Sequence, residues 1–353
     1  MSKKVTLIIP TKNCGGDLER CLAAIQKQTY PNFEIILVDG HSTDNTIEVG
    51  KRYGARIFYE DVGTRAYACN IGLNNSTGEI IAFTDADCIP QPNWLELLVK
   101  YLETRDDVVS VGGPNTTPDD VSYVGKCVDL TYGSQIMTGE TRYGKVFSNV
   151  VEVEHNPGCN VAYKKEIIDR LQCKFENDLV TAEDVVFDHL LIKNGYKILF
   201  APEILMWHRR RGTVKAYAKQ VYRYGWGRAM ANRRHKELEH WTHLVPLAAL
   251  LGLILSSSLL MVLAILIQMN FYKDITMFLC NFLSLFLSMV FISYWAVGLV
   301  GAALSYSPYK KVRYICVAPL FMAIGHIMWG FGYLKGLTVK MKSREVRICT
   351  SSM

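Results

Sequence analysis

Three long apolar stretches fill the last third of the chain, and they restrict its fold more than any other feature. They cover residues 244–269, 275–304 and 312–334. Each reaches or exceeds the roughly 20 residues with which a helix crosses about 30 Å of hydrocarbon. The sequence therefore predicts a globular domain over residues 1–240, a membrane domain over residues 244–337 and a basic tail over residues 338–353.

A basic block precedes the first apolar stretch. Between residues 208 and 240 the chain carries ten Lys or Arg residues and two Glu residues. Nucleic-acid binding is one interpretation of such a block, but its position favours the positive-inside rule and attraction to anionic lipid. We therefore expect a multi-pass protein of the cell membrane, with a cytoplasmic globular domain and no nucleic-acid partner.

The topology of the third apolar stretch stays open. A third full crossing would place the basic tail outside, against the positive-inside rule. A re-entrant or interfacial helix pair would reconcile the charges, and Pro319, Gly325, Gly330 and Gly332 fall within the stretch. Its length alone favours a third true span.

Strand and helix patterns alternate through the globular domain. Strands are expected at residues 4–9, 33–38, 56–59, 80–84 and 108–111, with helices at 17–27, from 44, at 64–74 and at 94–103. This order predicts an α/β fold with a mainly parallel, twisted sheet and helices on both faces. Ser42 or Thr43 is expected to cap one helix, and Thr181 a later one. No G-x-G-x-x-G motif follows the first strand and no P-loop occurs, so a nucleotide would be bound in another way.

Two carboxylates, Asp85 and Asp87, follow the fourth predicted strand directly. The carboxyl ends of strands in open α/β sheets are where ligands bind. Two acidic groups this close repel each other unless a cation lies between them. A divalent ion held by few carboxylates and by substrate phosphates is typical of Mg²⁺, with Mn²⁺ close behind. The alternative is a solvated acidic turn.

Further motifs follow in a fixed order. They lie at residues 7–13 (L-I-I-P-T-K-N), 38–46 (V-D-G-H-S-T-D-N-T), 68–72 (A-C-N-I-G), 77–79 (T-G-E), 183–184 (E-D) and 220–224 (Q-V-Y-R-Y). With the acidic pair, they resemble a family 2 glycosyltransferase of the GT-A fold from residue 5 to about residue 228. The resemblance implies a nucleotide-sugar donor and a divalent metal.

The chain departs from the family pattern at three positions. Gly40 replaces a second Asp, Cys69 stands where Arg is common, and Tyr224 replaces Trp. Arg65, one helical turn before Cys69, could take over the donor contact. The replacement of Trp by Tyr224 argues against a processive synthase.

The resemblance implies roles on the donor side. Asp87 would coordinate the metal and Asp85 would contact the ribose or a metal-bound water. Asp39 would contact the base, the alternative being an ordinary Asx turn. The remaining donor-side candidates are Pro10, Thr11 and Asn13 in the first loop, Arg65, and Arg223 as a partner of the pyrophosphate. His208 follows a strand-like segment and could be a further metal or phosphate ligand, although a lone histidine is often structural.

On the acceptor side, the resemblance favours Asp184 as the general base, with Asp188 as its rival four residues later. Acids in a first helical turn also suit the helix dipole without any catalytic role. Asn160, Gln220 and Tyr224 are the candidate acceptor-binding residues, with structural roles as the alternative. A single displacement with one base would invert the anomeric configuration.

The sequence thus predicts an inverting glycosyltransferase that uses a UDP- or GDP-sugar and Mg²⁺ or Mn²⁺. A polyprenyl phosphate or a lipid-linked saccharide is the expected acceptor. Three alternatives stay open: a processive polysaccharide synthase, a sugar nucleotidyltransferase, whose Gly-rich opening loop is missing here, and a non-catalytic membrane scaffold. The sequence leaves the sugar, the base, the acceptor and the formation of a homo-oligomer undecided.

Overall fold

The computed structural model describes residues 2–138 and 148–341. Most of the predicted basic tail, residues 342–353, lies outside the described residues. The strands are β1 (Val5–Thr11), β2 (Phe33–Asp39), β3 (Arg56–Tyr59), β4 (Ile80–Phe83), β5 (Cys88–Pro90), β6 (Val108–Gly112), β7 (Asn115–Thr116), β8 (Val151–Glu152), β9 (Val161–Lys164), β10 (Lys197–Phe200) and β11 (Met206–His208). The helices before the apolar stretches are α1 (Gly15–Ile25), α2 (Thr46–Arg52), α3 (Arg65–Asn74), α4 (Trp94–Leu102), α5 (Tyr123–Tyr132), α6 (Gln135–Thr138), α7 (Lys165–Leu171), α8 (Glu183–Lys193) and α9 (Val214–Arg234).

The main sheet has the strand order β3-β2-β1-β4-β9-β6-β10-β8. The first four strands run parallel, as their βαβ connections require. Strand β9 runs antiparallel to both β4 and β6, and joins this parallel half to β6 and β10. The predicted α/β fold with a mainly parallel sheet is therefore confirmed, with β9 as an antiparallel insertion that local patterns did not reveal.

Helices cover both faces of this sheet. Because β1, β2 and β4 are buried on both sides, their alternate residues enter two separate cores. Leu7 and Ile9 pack with α1 and α4 on one face, whereas Ile8 packs with α3 on the other. The carboxyl ends of β1, β2 and β4 consequently lie side by side.

Two helix caps differ from the sequence prediction. Helix α2 begins at Thr46 with Asn45 as its N-cap, because Ser42 is occupied by a hydrogen bond to Asp39. Helix α8 begins at Glu183 after Ala182, whose φ of 66° is left-handed. The Thr181 hydroxyl does not cap it, but donates to the Arg223 carbonyl over 2.9 Å. Thr181 is thus taken by a contact distant in sequence, whereas Ser42 is taken by a residue three positions before it.

The apolar stretches form α10 (Val245–Gln268), α11 (Lys273–Ala303), α12 (Val312–Ile315) and α13 (Ala318–Thr338). In the described part of the chain three helices are long and apolar enough to cross a membrane, at Trp241–Gln268, Lys273–Ala303 and Val312–Thr338. They differ in burial: 39% of the most apolar window of the third is buried, against 11% and 6% for the others. The third helix is therefore partly covered by protein.

Helix α13 lies along α9, and the two run in the same direction. Near their first turns, the Tyr217 hydroxyl donates to the carbonyl of Phe321 over 3.2 Å. Near their last turns, the Arg233 guanidinium donates to the carbonyls of Gly336 and Val339, each over 2.8 Å. The basic helix and the third apolar helix are thus joined over their full lengths.

Glycines bring the two backbones into contact. A Cβ atom added to Gly332 would lie 1.9 Å from the Tyr222 carbonyl oxygen, and one on Gly225 would lie 2.3 Å from that of Trp329. Small residues permit this approach between helices in membranes as well. No larger side chain fits at either position without moving the helices apart.

We predict that Gly332→Ala destabilises the protein by about 1–3 kcal/mol, because its Cβ would overpack a backbone carbonyl. The melting temperature in detergent measures this effect. Gly252→Ala is the control: its Cβ meets no atom within 4 Å, and alanine is the better helix former. Equal melting temperatures for the two variants would contradict the close packing of α9 on α13.

Candidate active site

Asp85 and Asp87 lie in the turn between β4 and β5, at the carboxyl edge of the main sheet. Strand β11 pairs with β5 in a second, smaller sheet, whose strand order is β5-β11-β7. The register of this pairing sets His208 opposite Cys88. His208 therefore lies beside Asp87 although 121 positions separate them in sequence. The pairing of these two short strands brings the predicted carboxylate and the predicted histidine together.

Asp87 faces two basic groups. Its Oδ1 lies 3.2 Å from His208 Nε2, and its Oδ2 lies 3.3 Å from a guanidinium nitrogen of Arg211. Burial alone would raise the pKa of Asp87, but His208 and Arg211 lower it to about 2. Burial likewise opposes the charge on His208, but Asp87 outweighs it and raises the pKa of the ring.

This donor set fits a divalent ion. An ionised carboxylate and an imidazole nitrogen converge from two strands, and Asp87 retains ionised oxygens at physiological pH. Mg²⁺ and Mn²⁺ accept such partial protein coordination and complete it with water and substrate phosphates. Asp87 and His208 are thus the residues that could hold the predicted metal, provided that the ion replaces the contact of Arg211 with Asp87.

Arg65 joins the acidic pair to the other acidic motif. Its Nε donates to Asp85 Oδ1 over 3.1 Å, and its Nη1 donates to Glu183 Oε1 over 3.0 Å. Its Nη2 donates to the carbonyl of Gly158 over 2.8 Å. The planar guanidinium therefore fixes three segments at once. Each of the three nitrogens of Arg65 makes one of these bonds. A contact of Arg65 with the donor stays a prediction.

Asp184 lies next to this network, at the start of α8. Its Oδ2 accepts from the Gly158 backbone over 3.0 Å, and its Oδ1 accepts from Val185 N over 2.9 Å. A Cβ on Gly158 would lie 2.9 Å from Asp184 Oδ2 and 3.1 Å from Arg65 Nη1. A glycine at position 158 therefore lets the backbone approach the carboxylate closely.

The rival carboxylate, Asp188, is fully buried. It accepts from the Tyr163 hydroxyl over 2.8 Å and from Asn156 N over 3.1 Å. Burial raises its pKa well above the usual range. Because no face of Asp188 reaches solvent, a substrate hydroxyl could not approach it, which leaves Asp184 as the accessible carboxylate of the pair.

The first loop and the end of β2 are tied together around Asp39. Its Oδ1 accepts from Thr11 Oγ1 over 2.9 Å and its Oδ2 from Ser42 N over 2.7 Å, which closes an Asx turn. Asn13, with a left-handed φ of 49°, accepts from Thr43 N over 2.8 Å. Pro10, the residue before Thr11 near the end of β1, is half-buried. The Asp39 carboxylate thus has a local structural role in this turn, and a contact of Asp39 with a base stays a prediction.

Asn160 is fully buried, and its amide is used by the core. Its Oδ1 accepts from Trp94 Nε1 over 2.8 Å, and its Nδ2 donates to the carbonyls of Pro114 and Ile204 over 3.1 and 2.8 Å. These bonds leave the amide no free donor for a ligand. The geometry therefore supports the structural alternative to an acceptor contact.

The motif at residues 220–224 lies on α9. Gln220 Nε2 donates to the Tyr224 hydroxyl over 3.0 Å, one helical turn away. Arg223 points outward and is exposed, and its carbonyl accepts from Thr181 just before α8. This contact attaches α9 to the Glu183-Asp184 turn. No described bond joins Arg223 to Asp85, Asp87 or Asp184.

Several residues of this site were missed in the sequence. Glu183 and Arg211 contact the predicted residues directly. Glu183 has a raised pKa because it is buried beside Asp184, against the opposing charge of Arg65. The adjacent E-D motif could have pointed to Glu183, whereas Arg211 was one of ten basic residues in its block.

Two cysteines lie behind His208. The sulfur atoms of Cys88 and Cys159 and a ring nitrogen of His208 all lie within 4.8 Å of one another. Thiols with an imidazole can bind a soft metal ion, but Arg210 Nη1 lies 3.3 Å from His208 Nδ1. Its positive charge opposes a cation at that position. We interpret the two cysteines as packing groups behind the histidine.

Known proteins share this architecture. The sequence profile of Glycosyl transferase family 2 matches residues 6–171. Glycosyltransferase AglE of Haloferax volcanii is 30% identical over 237 residues, which are 63% of this chain and 72% of AglE. A Methanococcus voltae protein, dolichyl N-acetyl-alpha-D-glucosaminyl phosphate 3-beta-D-2,3-diacetamido-2,3-dideoxy-beta-D-glucuronosyltransferase, is 27% identical over 65% of this chain and 74% of its own length.

Among solved structures, mannosyltransferase PcManGT from Pyrobaculum calidifontis, in complex with GDP-Man and Mn2+, superposes with a TM-score of 0.54. It is 20% identical, and the match covers 92% of this chain and 86% of that one. At this identity the likeness shows a common fold. The chain belongs to glycosyl transferase family 2 and has the GT-A fold. It is a glycosyltransferase.

We predict that Arg65→Lys lowers the transfer rate about 100-fold or more, because one ammonium cannot hold three segments in place. Initial rates of sugar transfer measure this loss. Arg52→Lys, at the exposed ion pair with Glu19, is the control and should keep its activity. A fully active Arg65→Lys variant would show that the bridge does not organise the site.

Proposed function

We propose that this enzyme transfers a sugar from a UDP- or GDP-sugar to a lipid-linked acceptor at the cytoplasmic membrane face. The transfer is one displacement that inverts the anomeric carbon. The observation that carries the proposal is the Arg65 bridge, which bonds Asp85, two residues before Asp87, at one end and Glu183, the neighbour of Asp184, at the other. Donor and acceptor groups thereby face a single edge of the sheet.

The donor side supports a nucleoside diphosphate. When bound, Mg²⁺ or Mn²⁺ at Asp87 and His208 would neutralise charge on the departing diphosphate. Asp85 is held by Arg65 beside this position and can contact the ribose. The Pyrobaculum neighbour was solved with GDP-Man and Mn2+, which is the ligand class proposed here. The turn formed by Thr11, Asn13 and Asp39 borders the same edge.

On the acceptor side, Asp184 is the proposed general base. An acceptor hydroxyl must lose its proton as it attacks the anomeric carbon, and a carboxylate within hydrogen-bond reach accepts it. Backbone N–H groups of Gly158 and Val185 hold the orientation of Asp184 without neutralising its charge. With a single accessible base and no second carboxylate assigned as a nucleophile, one inverting displacement results.

A lipid-linked acceptor agrees with the surroundings of the site. The basic helix α9 leads from the site to the apolar helices, and basic residues at a membrane surface attract anionic headgroups. The Methanococcus relative is named for a dolichyl phosphate-linked sugar. A processive synthase would need more helices to form a channel than the three apolar ones in the described residues. A non-catalytic scaffold would have no use for both Asp87 and Asp184.

Two substitutions test the assignment. Asp184→Asn should lower the rate about 10²- to 10⁴-fold, the contribution of a general base, while donor binding remains. Asp87→Ala should abolish the Mn²⁺-dependent rise in melting temperature that bound donor produces. Transfer of labelled sugar and thermal shifts with UDP- and GDP-sugars measure the two effects. Asp169→Asn, exposed at the end of α7, is the control, and full activity of either test variant would remove its assigned role.

We further propose that only α10 and α11 cross the bilayer, and that α13 lies at the cytoplasmic interface. Helix α9 carries Lys215, Lys219, Arg223, Arg228, Arg233 and Arg234. Because α13 packs along the whole of α9, a crossing α13 would draw these charges into hydrocarbon, at several kcal/mol in total. This cost favours the interfacial alternative over the third span that length alone suggests, and it keeps the basic tail inside.

Reporter fusions test this topology. Green fluorescent protein fused after residue 353 should fluoresce, because the C-terminus is cytoplasmic, and alkaline phosphatase at the same position should be inactive. Fusions after Asn270, in the turn between α10 and α11, form the control and should give the opposite pair of results. An active phosphatase at the C-terminus would establish a third crossing.

A further inference from the structure

Residues 305–309, in the segment that joins α11 to α12, alternate between buried and exposed positions and pack against the catalytic domain. Ser305 and Ser307 are buried, and Tyr306 N donates to the Gly133 carbonyl over 2.9 Å. The Tyr309 hydroxyl donates to Asp119 over 3.0 Å. A loop between apolar helices is thus seated in the catalytic domain, against α5 and the residues that precede it. We call residues 305–309 the seated loop.

An unbroken chain of contacts leads from the seated loop to the active site. Ser307 Oγ donates to Asp129 Oδ2 over 2.8 Å, and Arg210 Nε donates to Asp129 Oδ1 over 3.0 Å. Arg210 Nη1 then lies 3.3 Å from His208 Nδ1, and His208 Nε2 lies 3.2 Å from Asp87. Four contacts therefore connect a loop between apolar helices with the proposed metal ligands.

The positions of the groups in this series of contacts are important because its central ion pair is buried. The side chains of Arg210 and Asp129 are only 4% and 5% exposed. A buried guanidinium is stable only while its carboxylate partner is in place. Asp129 holds Arg210 against the edge of the His208 ring, and Ser307 orients Asp129. Because the Arg210 charge lies beside His208, its position affects a cation bound at Asp87 and His208.

We propose that the seated loop, acting through Asp129 and Arg210, positions His208 and Asp87 for metal binding. The affinity of the site for its metal then depends on how the apolar helices are seated in the membrane. Ser307, Asp129 and Arg210 are positioning residues, since they act through His208. This inference rests on the proposed function, in which Asp87 and His208 bind the metal.

Two serines of the same loop make a matched pair for the test. Ser305 Oγ donates to the Leu130 carbonyl over 2.8 Å and accepts from Ser307 N over 3.2 Å, and in the described structure it does not bond Asp129 or Arg210. Ser307 Oγ, by contrast, donates to Asp129. The full-length protein in lipid nanodiscs is titrated with Mn²⁺ in the presence of GDP or UDP. Free Mn²⁺ is measured by electron paramagnetic resonance, which needs no turnover.

In Ser307→Ala the dissociation constant for Mn²⁺ should rise about three- to tenfold, the range that the loss of one hydrogen bond produces. In Ser305→Ala it should stay at the wild-type value, although both variants lose a buried hydrogen bond and some thermal stability. The half-activating Mn²⁺ concentration should follow the dissociation constant, and excess Mn²⁺ should relieve the loss of activity in Ser307→Ala.

A second pair of variants serves as the test if either serine variant folds poorly. Asp129→Asn removes the charge that holds Arg210, while Asp119→Asn alters another contact of the seated loop, the partly buried bond with Tyr309. Only Asp129→Asn should weaken Mn²⁺ binding. Equal Mn²⁺ affinities within the pairs would overturn the positioning role and leave the proposed function intact. A wild-type protein that binds no Mn²⁺ with either nucleotide would overturn both.

Discussion

The half-buried guanidinium of Arg65 lies between carboxylates that come from distant parts of the chain. Asp85 is 20 positions away and Glu183 is 118 positions away. Without a cation between them these acids, together with Asp184, would repel one another at the edge of the sheet. Removing Arg65 would leave the buried Glu183 carboxylate uncompensated, which is destabilising. The donor and acceptor sides of the site therefore depend on one residue in the first turn of α3.

The smaller sheet positions His208 and Asp87, the proposed metal ligands. Its three strands are only two or three residues long, yet their pairing sets His208 beside Asp87. Arg209 N donates to the Asp87 carbonyl over 3.0 Å and strengthens the same junction. The basic block that begins at His208 therefore serves two purposes. Its first residues lie in the candidate active site, and its later residues form the helix that packs along α13.

Local patterns predicted much of the fold. The alternation of strands and helices up to residue 112 and the positions of Asp85, Asp87 and Asp184 at element ends follow from short stretches of sequence. The antiparallel insertion of β9 and the burial of Asn160 did not, because both depend on pairings between distant residues. The bonds of Arg65 to Asp85 and Glu183 were not predicted either, for the same reason. Side-chain partners across more than about one helical turn lie beyond the range of periodicity arguments.

The compositional boundary near residue 240 does not separate two cores. One hydrophobic cluster combines Val128 of α5 and Tyr217 and Val221 of α9 with Phe321 and Met322 of α13. A chain cut at this boundary would expose the apolar faces of α5 and α9 to water. The catalytic half and the apolar helices should accordingly unfold as one cooperative unit. Lipid composition and bilayer thickness would then act on the thermal stability of the enzyme itself, and a soluble catalytic fragment would aggregate.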